Sequence, residues 1–221
     1  PLLPHKNSNL GPCSAVGDVN NDGLKDLFVG NAAGKKARLL LQTAEGQFFP
    51  IAGPWENDST HEDTGCILFD LDGDGDLDLY VVSGGNDPSK DSKYFQDRLY
   101  CNENGAFKKV RNFPSITSSG KVVLPLDYDQ DGDMDLFVGG RIIPGHYPFA
   151  PESIVLENMG GVNDLLTYTR LQPSKLGDIK NLGLVTAAQW DHLDNDGNAE
   201  LIITGEWLGI EVYNYNSGSF V

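Results

Sequence analysis

The chain has 221 residues, 39% of them apolar, with 32 Asp and Glu against 16 Lys and Arg and a formal net charge of −16. That length can bury a substantial core in one or two domains. No apolar run approaches the roughly 18 residues of a membrane helix, and no basic stripe exists to meet phosphates, so neither membrane insertion nor nucleic acid is expected.

The acidity is local. Four stretches hold 17 of the 32 acidic residues and one base, Lys25, so the remainder of the chain is balanced. They are Asp18–Asp26 (DVNNDGLKD), Asp70–Asp78 (DLDGDGDLD), Asp127–Asp135 (DYDQDGDMD) and, more loosely, Asp191–Glu200 (DHLDNDGNAE). Carboxylates at every second position of a tight loop converge on one point, and the glycine sits where the chain must turn sharply. Such charges repel each other unless a cation lies between them, and hard oxygen donors in that number suit calcium.

Each stretch sits inside a longer repeat. The first unit covers approximately residues 10–52: Gly11, an apolar run at Cys13–Gly17, the acidic loop, a second run at Leu27–Gly30, then Arg38–Thr43, a turn at Glu45-Gly46, and Gln47–Phe49. The second, at 64–113, runs through Gly65, Cys66–Phe69, Leu79–Gly84, Arg98–Asn102, Asn104-Gly105 and Ala106-Phe107. The third, at 119–171, runs through Gly120, Lys121–Leu126, Leu136–Gly139, Ser153–Glu157, Gly160-Gly161 and Leu165–Leu171. The fourth, at 182–221, runs through Gly183, Leu184–Trp190, Leu201–Gly205, Ile210–Asn214, Ser217-Gly218 and Phe220-Val221. Short β-forming runs bounded by turn residues read as strands, and Asn-Gly-type pairs as hairpins. Each unit is therefore expected to be four antiparallel strands with the acidic loop between the first two, a β-propeller blade in an all-β protein. No helix period stands out. The connectors Pro50–Asp63, Asn86–Gln96, Arg141–Pro151 and Gln172–Leu182 belong at the rim, where recognition surfaces form.

Cys13, Cys66 and Cys101 carry no zinc or disulfide spacing and read as buried free thiols. His5 and His61 stand in polar stretches and read as solvated. An EF-hand is ruled out because position twelve of the second loop is Val81 and both flanks read as strands.

The pattern resembles the FG-GAP repeat of integrin α-chain propellers and the related VCBS repeats of bacterial surface proteins. Leu10-Gly11 resembles that family's Phe-Gly, and Gly30-Asn31-Ala32 its Gly-Ala-Pro. The phrases Arg141–Pro148 (RIIPGHYP) and Thr204–Trp207 (TGEW) resemble VCBS-repeat proteins of Bacteroidetes, often joined to an ASPIC/UnbV module. The resemblance implies Ca2+ held by side chains at positions one, three, five and nine and by the carbonyl at seven. In the first loop these are Asp18, Asn20, Asp22, Leu24 (carbonyl) and Asp26. In the second they are Asp70, Asp72, Asp74, Asp76 (carbonyl) and Asp78. In the third they are Asp127, Asp129, Asp131, Asp133 (carbonyl) and Asp135. The fourth departs: His192 stands at position one unless Asp191 bulges into its place beside Asp194, Asp196, Asn198 and Glu200, and its occupancy stays open.

The function expected is a calcium-stabilised, non-catalytic module, secreted or on a bacterial outer-membrane surface, binding protein or glycan. Arg141, His146 and Tyr147 are the candidate ligand contacts, and a glycan would favour exposed Trp55, Trp207 and Tyr147, with Trp190 in the core. The competing class is the propeller of a polysaccharide lyase. The four blades are expected to be an arc of a larger ring of about seven, joined to further blades or domains of the parent chain. A closed four-bladed ring would instead bring Leu27–Val29 against Leu201–Ile203.

Overall fold

A computed structural model describes residues 10–87, 89, 92–161 and 166–221. His5, parts of the 86–96 connector and Leu165 lie outside the described residues. Four acidic loops are each clamped by the antiparallel strands on either side, and in every case the ninth loop residue is the first to pair: Gly17 with Asp26, Phe69 with Asp78, Leu126 with Asp135, and Asp191 with Glu200.

The first sheet runs β1 (Ser14–Gly17), β2 (Asp26–Val29), β3 (Arg38–Gln42) and β4 (Phe48–Ile51) in sequence order. The second repeats it with β5 (Asp63–Phe69), β6 (Asp78–Ser83), β7 (Arg98–Glu103) and β8 (Ala106–Lys109). The third has β9 (Ser119–Leu126), β10 (Asp135–Ile142), β11 (Ile154–Asn158) and β12 (Tyr168–Arg170). In the fourth, β13 (Leu184–Asp191), β14 (Glu200–Glu206) and β15 (Leu208–Tyr213) form the sheet, and a small hairpin, β16 (Tyr215–Asn216) with β17 (Ser219–Phe220), follows. The fourth strand still pairs outward, since Asn214 and Val221 exchange backbone hydrogen bonds at 3.0 and 2.9 Å. The chain is all-β, built of four-stranded blades.

The strand period of two divides the core. Along β6, Leu79 and Val81 join Phe28, Leu39 and Tyr100 between the first and second sheets. Their neighbours Tyr80 and Val82 join Leu136, Val138, Ile154 and Leu156 between the second and third. Phe137 and Val155 point the other way, to Leu201, Ile203 and Phe220 of the fourth. Each middle blade is thus apolar on both faces, as stacking demands. Inner strands meet closely: a Cβ on Gly65 of β5 would strike the Lys121 carbonyl of β9, and one on Gly139 of β10 would lie 2.7 Å from Val185 of β13.

The principal contacts run from β1 to β5, β5 to β9 and β9 to β13, and among the described residues none of them joins the first sheet to the fourth. These three interfaces carry the principal contacts between sheets among the described residues. Val16 on the free side of the first sheet is 62% exposed, and Ile210 on the fourth is 78% exposed.

The connectors hold short helical turns that show no sequence period: Pro54–Asp58, Ser92–Phe95, α1 (Pro173–Leu176) and Gly177–Asn181. Two expectations are corrected there. Trp55 is not an exposed aromatic but 1% exposed, because its turn drops the ring among Phe28, Tyr100 and Phe107 at centroid distances of 5.9, 6.0 and 5.3 Å. His61 is not simply solvated: it is half-buried, its Nδ1 3.1 Å from the Asp58 carbonyl and its ring against Tyr94. Cys13, Cys66 and Cys101 form no disulfide, and of the three Cys101 is fully buried while Cys13 and Cys66 are half-buried.

Candidate metal centres

The loops owe their shape to their own carboxylates. The position-one aspartate arches over each of the first three: Asp18 accepts the amides of Asp22 and Gly23, Asp70 those of Gly73 and Gly75, and Asp127 those of Asp131 and Gly132. Position five accepts the amide of position seven in all four, at 2.8–2.9 Å. Glycine at position six takes a left-handed φ of 84° in the first loop, 94° in the second and third, and 91° in the fourth, where any other residue would be strained.

Position nine is anchored from two sides. Asp26 accepts from Val19 and Gln42, Asp78 from Leu71 and Asn102, and Asp135 from Tyr128 and Asn158, all backbone amides at 2.8–3.5 Å. A carboxylate oxygen has two lone pairs, so these bonds leave capacity for an ion. Burial pushes Asp78 and Asp135 each up to about 7, against those amides and with the loop's other carboxylates adding to the rise. Asp74 and Asp129 are also raised, by desolvation first and by neighbouring carboxylates after it. The loop charge is uncomfortable as it stands, and a cation would relieve it.

Carboxylates do converge. Asp70, Asp72 and Asp74 bring ligand atoms within 4.8 Å of one another, as do Asp127, Asp129 and Asp135, and Asp194, Asp196 and Glu200. Asp72 and Asp78 also lie within that reach of the Cys101 thiol, which the sequence pattern did not place there. The first loop, with Asn20 at position three, forms no such all-carboxylate group among the described residues. Oxygen donors on a turn of this kind fit Ca2+.

The fourth loop is closed differently. His192 Nδ1 sits 2.7 Å from the carbonyl of Asn198, the seventh position. Asp191 is engaged by the His192 amide and the Gln189 side chain and stands apart from the Asp194–Asp196–Glu200 group. Glu200 takes the Leu193 amide on one oxygen, at 2.8 Å, and buries the other without a hydrogen-bond partner.

A family model described as an FG-GAP-like repeat matches residues 18–81 and 70–138, each span running from one acidic loop through the next, so the two share the second loop. The chain belongs to the FG-GAP-like repeat family. No curated protein matches it. Among the described residues no helix is long and apolar enough to cross a membrane.

Because each acidic loop joins the first strand of an FG-GAP unit to the second, all four open at one end of the sheets. The opposite end carries a different cluster. Arg141, at the end of β10, donates from Nη2 to Glu206 Oε2 at 2.7 Å, and Tyr147 Oη donates to Glu206 Oε1 at 2.6 Å. Trp207 Nε1 donates to Tyr147 Oη at 2.6 Å, and the indole is 80% exposed. Trp207 forms the whole turn between β14 and β15 with φ 63°, a strained conformation for a bulky residue. Arg141 is buried, and its Nε and Nη1 have no hydrogen-bond partner. Arg141 and Tyr147 are thus brought together, through a glutamate that sequence reasoning missed. Exposed His146 is not joined to them; its amide caps the Ile143 carbonyl at 2.9 Å.

Proposed function

We propose that this FG-GAP chain is a calcium-braced recognition module that works outside the cell, secreted or on a bacterial outer-membrane surface, and binds protein or glycan without catalysis. The observation that carries the reading is the convergence of Asp70, Asp72 and Asp74, and of Asp127, Asp129 and Asp135, within 4.8 Å. Calcium would be held by positions one, three, five and nine with the seventh carbonyl, and it supplies the positive charge that lets these carboxylates share one point. Sites of this kind in extracellular modules have dissociation constants around 10⁻⁴–10⁻³ M, so they fill outside cells and stay empty in cytosol. Further blades of the parent chain would cover the free faces of the first and fourth sheets, in a ring of about seven.

The recognition surface lies at the other end. Exposed Trp207 offers a flat apolar face, its N–H already committed to Tyr147, with Glu206 beside it and Arg141 beneath. Aromatic faces edged by polar groups suit sugar rings and interface hot spots alike. The lyase alternative gains nothing here. The hydrogen bond to Glu206 pushes the Tyr147 phenol up from its ordinary value, which makes it a poor general base. An array of glycans and extracellular proteins, probed in millimolar calcium and again in chelator, tests the reading. Capture that needs calcium and is lost in Trp207→Ala supports it. Capture that survives both contradicts it.

A further inference from the structure

The ligand set given above leaves position four as a spacer, yet in the first and third loops that position reaches the next blade. Asn21, fourth in the first loop, donates from Nδ2 to Asp76 Oδ1 at 2.6 Å, and Asp76 is seventh in the second. Gln130, fourth in the third loop, donates from Nε2 to Asn198 Oδ1 at 3.0 Å, and Asn198 is seventh in the fourth. The same step is made across two different blade boundaries. Asn21 and Gln130 adopt left-handed backbone, φ 57° and 62°, which aims them sideways. The boundary between the second and third loops lacks the step: position four is Gly73, and a cavity of about 400 Å³ lined by Asp72, Gly73, Gly132 and Asp133 opens instead.

Position seven is the residue whose carbonyl would face the ion. Asp76 is pinned from both sides, by Asn21 on one oxygen and by the Asn104 amide at 2.6 Å on the other. An ion in the first loop fixes Asn20 and Asp22, which flank Asn21, and so fixes the donor that orients Asp76. We propose that Asn21 couples the first and second calcium sites, so that filling either tightens the other, beyond the Asn102–Val19 and Asn158–Leu71 bonds that both boundaries share, while the Gly73 gap leaves the second and third sites with that shared link alone. Gln130 braces the third loop on the fourth in the same manner, through the side chain of Asn198, whose backbone carbonyl His192 already holds. The inference rests on the calcium reading above, and its test separates the two.

Coupling between sites is reciprocal, and one partly exposed hydrogen bond places it at the low end of the usual range, about fivefold. Calcium titration of the whole chain followed by amide NMR reads Gly23, Gly75 and Gly132, one glycine per loop. Asp22→Ala, which empties the first site, should weaken the Gly75 midpoint about fivefold and leave Gly132 unmoved. In an Asn21→Gly background the same change should leave Gly75 unmoved as well. Glycine carries no strain at that φ, and the unaltered Gly132 signal in the same spectra certifies the fold. The reverse variant, Gly73→Asn, meets nothing within 4 Å of its Cβ, takes on the left-handed φ of 73° at the modest cost Asn21 already bears at 57°, and should make the Gly75 and Gly132 midpoints interdependent. A Gly75 midpoint indifferent to Asp22→Ala, or shifted equally with and without Asn21, overturns the coupling alone. No calcium response at any of the three glycines overturns the calcium reading and the coupling with it.

Discussion

The second and third acidic loops and the fourth share a backbone turn but differ in what closes it. In the second and third, an aspartate at position one takes two loop amides, and the remaining carboxylates are left facing one another. In the fourth, the His192 ring reaches the carbonyl at position seven and does with a hydrogen bond what an ion would do elsewhere. On the calcium reading proposed above, this one substitution separates loops that would rely on a cation from one that carries a hydrogen bond in its place. The backbone registers the change too: Asn195, fourth in that loop, is absent from the left-handed residues that include Asn21 and Gln130.

Chelation should have the largest effect. Ligand binding stabilises the folded state by about 2.7 kcal/mol per site at hundredfold excess, so stripping three sites should lower the melting temperature more than any single substitution. A melting curve unmoved by chelator breaks the comparison at once. Next comes a control at the far end of the sheets. Arg98 and Asp63 form a buried ion pair at 2.6 Å, and removing one partner of such a pair costs about 3–5 kcal/mol. Arg98→Ala should lower stability by the same amount in calcium and in chelator, whereas a loss confined to calcium would tie that pair to the metal sites.

Asp74→Ala and Asp131→Ala should each cost about one site's stabilisation, roughly 2.7 kcal/mol in calcium at a hundredfold excess over the dissociation constant, and almost nothing in chelator. Asp196→Ala should cost less than either, measured by calorimetric melting under both conditions. The graft His192→Asp sharpens the contrast in the other direction. It frees the Asn198 carbonyl and restores position one, so the variant should take up one more calcium than the wild type in equilibrium dialysis.

Much of this was legible in the sequence. Strand, acidic loop, strand and hairpin recur with glycines at fixed offsets, and the strand boundaries fall within a few residues of those runs. What the chain could not disclose depends on tertiary partners. Leu79 and Tyr80 are equally apolar, and only the neighbouring blades decide which interface each joins. Trp55 sits in a polar run, GPWEND, whose helical turn carries it under three aromatic rings. Asn21 and Gln130 occupy spacer positions, and their reach to the next loop exists only after the blades are stacked. Glu206 offered one signal, its place beside a tryptophan at the end of a strand, but not its link to Arg141.

A separate pH dependence belongs to a buried carboxylate outside the loops. Burial pushes Asp97 from 3.8 up to about 7, opposed by the Ser83 amide and the Tyr80 hydroxyl. The folded chain therefore holds a proton that the unfolded chain has released, and stability falls as pH rises between those values. Asp97→Asn should remove its share of that slope with or without calcium, while in chelator Asp78 and Asp135, also pushed up to about 7, keep a slope of the same sign. A slope abolished by calcium in the wild type would assign it to the loops instead.

Anomalous diffraction from crystals grown in millimolar calcium tests the central claim most directly. The account predicts calcium peaks about 2.3–2.6 Å from the oxygens of the first three loops, including Asp70, Asp72 and Asp74 and Asp127, Asp129 and Asp135, with the fourth loop weakest. Water or sodium alone in the second and third loops would contradict it.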